Sequence, residues 1–338
     1  MSAPAPPPAV VMSQLLGGFQ VSQALYVVAK LDVCTLLDGG PRTVADLAER
    51  SGALADPLAR LVRTLTMVGV FRTEGDLVAT TPLGALLSRD HPASLAAVAE
   101  LWMETHYGPF AELLETVRTG VPGATRYFGK PMFAWLSEDP ARSDLMTRAM
   151  ADVTGALREG VFDAYELPPG RVVADIGGAD GSVLVQLLAD RPDRTGVVLD
   201  LPAVRPLAVS RLAEQGMGDR ITFTAGDFFE SVPAADVYVL SLVLHDWDDE
   251  SGARILESIR KAANPGARLL VLEGVVPPGD TPHIMKMVDL TMLGMLPGRE
   301  RTEPEFRTLL ERAGFTLDRV VPTPTVFSIV EASVNQAR

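Results

Sequence analysis

Cysteine is almost missing: Cys34 stands alone among 338 residues. One thiol excludes an internal disulfide and a thiolate-built metal cluster, and such low usage fits a reducing, cytoplasmic compartment. Long apolar runs are missing too. No stretch reaches the about 18 residues that span a bilayer, and the longest candidates, such as Val237–Leu244, are strand-sized. The N-terminus, Met1-Ser-Ala-Pro-Ala-Pro-Pro-Pro8, has no basic region followed by an apolar core. It is read as a short disordered tail, not a secretory signal. Positive charge is in deficit, 30 Lys and Arg against 43 Asp and Glu, for a net −13. That balance repels nucleic acid and anionic membranes.

What remains is ordinary globular material, 47% hydrophobic and 22% charged. At 338 residues it is long enough for two buried cores. Residues 10–40 carry apolar positions at helical spacing (Leu15, Phe19, Leu25, Val28, Leu31), broken by Gly39-Gly40-Pro41. Thr43 with Asp46 three residues on resembles a capping box. A second helix is expected from Asp56, with Pro57 at its first position. Residues 68–80 read as a hairpin turning at Glu74-Gly75-Asp76. Helix, turn, helix and hairpin form a winged-helix pattern, which raises DNA binding. Between residues 41 and 90, however, six arginines meet six acids and there is no lysine. A phosphate-neutralising stripe is therefore absent, and a scaffold or dimerisation element is the plainer reading. Residues 93–166 read as mostly helical, interrupted by a loop over Gly120–Lys130. Their Met103, Met132, Met146 and Met150, with Phe133 and Trp135, suit either a core or the wall of an apolar pocket.

From Leu167-Pro-Pro-Gly170 the grammar changes. Strands are expected near 171–174, 195–199, 221–224, 237–241, 268–272, 317–321 and 326–331. Helices are expected near 181–190, 203–215, 249–263 and 303–313. Strand–helix alternation predicts a doubly wound, mostly parallel sheet, and such sheets bind ligands at the carboxyl ends of their strands.

Four motifs fall at such ends. In Val172-Val-Ala-Asp-Ile-Gly-Gly-Ala-Asp-Gly-Ser182 a buried strand runs into a glycine-rich turn that lets a ligand approach the backbone. The dinucleotide spacing fails, because Ala179 and Ser182 replace its second and third glycines. The D-x-G-x-G-x-G pattern of S-adenosylmethionine (SAM) sites fits better, with Asp175, Gly177, Ala179 and Gly181. Asp200, 25 residues after Asp175, can accept hydrogen bonds from both hydroxyls of a ribose, or simply start a helix. Asp227 in Gly226-Asp-Phe-Phe229 can accept from an adenine amino group and Phe228 can cover the ring, although alone this is an ordinary turn. Leu244-His-Asp-Trp-Asp-Asp-Glu250 carries His245, the one histidine of four expected at this sheet edge. Helix capping explains its acids but not its His-Asp-Trp, and His245 is the candidate base.

These motifs, with Leu199-Asp-Leu-Pro202 and Gly298-Arg-Glu-Arg-Thr302, resemble the SAM-dependent O-methyltransferases of the plant caffeic-acid type and the bacterial carminomycin and mitomycin type. The departure is Ala179, where glycine is usual. The resemblance implies a Rossmann-like SAM methyltransferase domain (167–338), a helical linker contributing to the substrate pocket (96–166) and a winged-helix dimerisation domain (1–95). It implies a homodimer, SAM as methyl donor and an aromatic acceptor of the polyketide or naphthoate kind; a histidine base makes a metal unnecessary, and the charge balance argues against nucleic acid and membrane as partners. By position, the Gly177–Gly181 turn would hold the methionyl part, Asp200 the ribose, and Asp227 and Phe228 the adenine, with Ser241 and Trp247 bordering; Asp175, Gly178, Leu201 and Gly226 complete the cofactor-binding set. His245 would take the acceptor's proton, flanked by Glu273 and Glu300. Asp289, Met292 and Leu296 would face the acceptor, with Met146 and Met150 opposite. Without the family, Glu273 is a strand-end acid and Glu300 a loop charge paired with Arg299 or Arg301. Two alternatives stay open: N- or C-methylation, or a SAM-assisted reaction without methyl transfer, on the same fold; and a ligand-responsive winged-helix regulator of DNA.

Overall fold

A computed structural model describes residues 6–158 and 160–335. They form two compact units. One takes the chain up to Glu112 together with Ala124–Ala156; the other takes Leu113–Gly123 and the chain from Leu157 onward.

The first unit opens with helices Pro8–Leu16, Gly18–Lys30 and Val33–Leu36, followed by Val44–Ser51 and Ala55–Met67. Strands β1 (Arg42–Thr43), β2 (Phe71–Glu74) and β3 (Leu77–Thr80) make a small antiparallel sheet in the order β1-β3-β2. Leu58, Val62 and Leu65 recur on one helix face and pack with Val28, Leu47, Phe71 and Val78. Thr43 caps its helix, accepting the Asp46 N–H at 3.2 Å. The reciprocal half of the box is missing, because the Asp46 carboxylate pairs with Arg42 and Arg50 at 2.9 Å each. Pro57 is the third residue of its helix rather than the first, and the hairpin turns on Gly75-Asp76 alone. The interruption expected over 120–130 contains a helix of its own, Gly123–Phe128. No residue of Pro8–Leu16 is buried.

The second unit carries strands β4 (Val172–Ile176), β5 (Thr195–Asp200), β6 (Ile221–Ala225), β7 (Val237–Ser241), β8 (Arg268–Glu273), β9 (Phe315–Pro322) and β10 (Ser328–Val334). They form one sheet in the order β6-β5-β4-β7-β8-β10-β9. β4 to β8 run parallel, and β10 lies antiparallel between β8 and β9. The central strands are buried on both faces, which is why they read as continuous apolar runs. Side chains alternate between the two covering layers. Tyr238 and Leu240 join Ile255, Leu256 and Phe306, whereas Val237 and Val239 join Leu184, Leu187 and Val198. The strand order reverses at β4, with β5 on one side and β7 on the other, which opens a crevice at their carboxyl ends.

Candidate active site

Asp175 lies within β4, just before its end, and Gly177 to Gly181 turn the chain into the Ser182–Leu188 helix. Gly177 and Gly181 hold φ of 71° and 77°, the left-handed region that glycine enters without strain. Ala179 is held there as well, at φ 45°. Its N–H donates to Asp200 Oδ2 at 2.9 Å, and the Leu201 N–H donates to Oδ1 at 2.7 Å. The Asp200 carboxylate, at the end of β5, thus ties the turn to its own strand, and each oxygen keeps a second lone pair. A side chain at Gly178 would collide with the Asp175 carboxyl.

Asp175 is wholly buried and neither of its oxygens has a hydrogen-bond partner among the described residues. Burial pushes its pKa up to about 7, aided by Asp200 and Asp180, while Arg158 pulls the other way. Arg158 donates from Nη1 to Ser241 Oγ at 3.3 Å and from Nη2 to Ser182 Oγ at 3.2 Å. A guanidinium, a buried carboxyl and two hydroxyls therefore converge at the ends of β4 and β7.

The adenine candidates are brought together. Trp247 meets Phe228 edge-on with centroids 6.1 Å apart, and Phe229 at 4.8 Å. Phe228 also lies close to Gly177, since a side chain there would reach its ring at 3.7 Å. Exposed Asp227 accepts the Phe229 N–H at 2.8 Å through Oδ1.

After β7 the chain leaves the sheet through Leu242, a non-glycine residue at φ 56°, and enters a single 3-10 turn, Leu244–Asp246. Strain of this kind collects where geometry is dictated by function. His245 sits on that turn with its side chain 13% exposed. Its Nδ1 meets Glu300 Oε1 at 2.7 Å, and its Nε2 stands 3.5 Å from Asp246 Oδ1. Glu273, the last residue of β8, bonds to the backbone of the turn. Its Oε1 accepts the backbone N–H of Val243 and of His245, both at 3.2 Å. Burial alone lowers the imidazole pKa, but the carboxylates of Asp246, Glu300 and Glu273 outweigh it and push it up to about 10. Glu273 is pushed up to about 7, by burial and by Glu300. Oε2 of Glu273 and Oε2 of Glu300 are buried without hydrogen-bond partners among the described residues.

Asp289 is on the Met285–Met295 helix and spends one oxygen on the Glu300 N–H, at 2.9 Å. Met292 is half-buried on that helix, and Leu296 is its C-cap, one residue beyond it. Met146 and Met150 belong to the first unit, partly packed into its core with Leu101 and Leu145. Glu300 pairs with neither neighbouring arginine: Arg299 meets Glu305 at 2.5 Å and Arg301 meets Asp249 at 2.8 Å. Sequence reasoning missed Arg158, Ser182, Leu242 and the burial of Arg301. Among the described residues no three His, Cys, Asp or Glu side chains group as metal ligands, and no helix is long and apolar enough to cross a membrane.

Comparisons with known proteins bear on the family. A family model described as an O-methyltransferase domain matches residues 110–316, and an O-methyltransferase dimerisation domain matches residues 13–90. The chain is 40% identical over 332 residues to a phenazine O-methyltransferase of Lysobacter antibioticus, covering 98% of this chain and 97% of that protein. It is 36% identical to the mitomycin biosynthesis 6-O-methyltransferase of Streptomyces lavendulae, covering 92% and 90%. Among solved structures, an O-methyltransferase from neocarzinostatin biosynthesis, in complex with SAM and 2-hydroxy-5-methyl naphthoic acid, superposes with TM-score 0.79. It is 33% identical and covers 93% of this chain and 95% of that one.

Proposed function

The chain belongs to the SAM-dependent O-methyltransferases, and on that premise we propose that it methylates a hydroxyl of a flat aromatic small molecule, with His245 as the general base. The observation that carries this reading is the His245–Glu300 pair at the carboxyl edge of the sheet, 2.7 Å apart. Nδ1 is committed to the carboxylate, so Nε2 is the nitrogen left to meet a substrate hydroxyl, with Asp246 as its resting neighbour at 3.5 Å.

The residues fit the methyl donor. Buried carboxyls without partners call for a cation or donors, and Asp175 in this state suits the α-ammonium of the methionyl group. Arg158, beside it, suits the α-carboxylate. The turn at Gly177 and Gly178 admits a chain close to its backbone. Asp200 and Leu201 serve the ribose. Gly226, against which a side chain would press on Leu199, keeps the turn of Asp227 and Phe228 tight for the adenine, with Trp247 and Ser241 at the border. When bound, SAM supplies a methyl group on a sulfonium cation, open to in-line displacement by an oxygen.

The protein's own work is positioning and proton removal. A phenol has a pKa near 10, against about 6.5 for ordinary imidazole, so transfer to an unperturbed histidine is uphill by about 5 kcal/mol. The carboxylates around His245 raise the imidazole pKa to about 10 and close that gap. The same shift favours the protonated ring at neutral pH, so the proton must leave before the base can act. A cation bound beside the ring lowers its pKa and favours the neutral base. Orienting the acceptor oxygen contributes up to about 7–11 kcal/mol, more than the base. Asp289, Met292 and Leu296 are the acceptor-facing candidates of this unit, Asp289 also through Glu300. Self-association follows the dimerisation domain matched over residues 13–90 and suits the unburied apolar helix Pro8–Leu16.

The test is a panel of hydroxylated phenazines, naphthoates and benzoates incubated with methyl-labelled SAM and read by mass. Label on oxygen, lost in His245→Ala, is expected. Label on nitrogen or carbon overturns the assignment of the acceptor atom, and undiminished transfer by His245→Ala overturns the base.

A further inference from the structure

Arg301 is the largest fully buried side chain among the described residues, with no exposure at all. An arginine stays charged under all ordinary conditions, and burying it is costly unless every donor is satisfied. Here Nε and Nη2 reach Asp249 Oδ1 at 3.0 and 2.8 Å, Nη1 reaches the Leu244 carbonyl at 2.9 Å, and Nη2 also reaches the Trp247 carbonyl at 2.9 Å. Those carbonyls bracket His245, and Asp249 opens the Asp249–Ala262 helix that follows. The neighbours of Arg301 grip the same turn. A side chain at Gly298 would collide with the His245 carbonyl oxygen, and Glu300 holds the imidazole itself. The backbone of Arg301 is fixed in turn, its carbonyl accepting the Val276 N–H at 2.9 Å.

We propose that Arg301 is a positioning residue: its guanidinium locks the backbone of the His245 turn in the one register that lets Glu300, adjacent in sequence, meet Nδ1 and leave Nε2 for the acceptor. The inference rests on the base reading of His245 for its functional meaning, but its geometry stands apart from it. A planar fork is required, because one group must serve two carbonyls and a carboxylate at once; the ammonium of lysine is a point charge without that geometry. The charged groups acting on the imidazole are Asp246 on its own turn, Glu273 from β8, and Glu300 from the loop before the Glu303–Arg312 helix, while Arg301 of that loop acts on Glu273.

The experiment is a titration of the His245 imidazole by NMR on histidine-labelled protein saturated with S-adenosylhomocysteine, the resonance assigned by its loss in His245→Asn. Wild type is compared with Arg301→Lys and Asp249→Asn. If the lock exists, each variant that still binds S-adenosylhomocysteine loosens the Glu300 contact, and its midpoint falls by about one unit or more, the scale of one close opposite charge. Asp249 is half-exposed, so Asp249→Asn keeps the test open should Arg301→Lys fail to fold. A midpoint that stays at the wild-type value in every folded variant overturns the proposal. The base reading fails by a different result, an undiminished turnover in His245→Ala, so the two failures are told apart.

Discussion

Nδ1 of His245 lies 2.7 Å from Oε1 of Glu300, 55 residues further along the chain. The contact orders the ring and makes it a stronger base, which has consequences for pH. With His245 as the proposed base, turnover requires the neutral imidazole, so its logarithm should rise with pH until the ring has titrated. Glu300→Gln removes one of the anions that favour the imidazolium, and the ring's pKa then falls toward the ordinary 6.5. The acid limb of the rate profile is therefore expected to move to lower pH, and the plateau to drop because the base is weaker. Rate profiles at saturating SAM check this; an unmoved acid limb would remove Glu300 from the pair.

His245→Ala should lose on the order of 10²–10⁴ in turnover, the usual worth of a general base. Binding of S-adenosylhomocysteine should hold, since the ring is committed to Glu300 and Asp246 rather than to the turn at Gly177. Initial rates paired with calorimetry on one preparation measure both halves.

Much of this site was legible in the sequence, and the reason is local. A parallel strand buried on both faces is an apolar run stopped by glycine or an acid. Val237–Ser241 ends where expected, and Asp175, Asp200, Ser241 and Glu273 fall at or next to the ends of β4, β5, β7 and β8. What could not be read is long-range. Arg158 precedes β4 on a helix with no motif, and only the fold delivers it to Ser241 and Ser182. The three charges at Arg299, Glu300 and Arg301 look interchangeable in a row, yet they go to Glu305, His245 and Asp249 in turn. Asp46 departs from the capping-box pattern because two arginines at the right distance hold its carboxylate in place of a backbone N–H.

Asp200→Ala removes the acceptor that ties Ala179 and Leu201 to β5 and, on the proposed reading, the oxygens offered to the ribose. A hydrogen bond to a charged group is worth about 1.5–3 kcal/mol, so affinity for S-adenosylhomocysteine should weaken by roughly 10- to 100-fold. Arg158→Met should do the same through the carboxylate end. Wild-type affinity by calorimetry in either variant contradicts its assignment.

Turnover should survive exhaustive EDTA. With the proton taken by His245, the chemistry asks for no Lewis acid, and the acids after His245 cap a helix, Asp248 Oδ1 accepting the Ser251 N–H at 2.7 Å. Activity lost to EDTA and restored by Mg²⁺ would count against the histidine route.

Asp175 gives a prediction about stability. Its carboxyl titrates near 3.8 when unfolded and is raised to about 7 in the fold, chiefly by burial. A raised folded pKa means the folded state holds the proton more tightly. The associated stability is present below the unfolded value and is lost as pH climbs through the folded one. Asp175→Asn is neutral at every pH and nearly the same shape. Compared with wild type in the absence of ligand, it should therefore differ little in stability at about pH 4. Above pH 7 it should be the more stable by an amount on the order of 4 kcal/mol. Saturating SAM should shrink that advantage, because the cationic end of the methionyl group favours the ionised carboxyl it was missing. Urea melts of both proteins at pH 4, 6 and 8 measure the difference. A gap that does not widen with pH would mean that Asp175 is not held neutral by its burial.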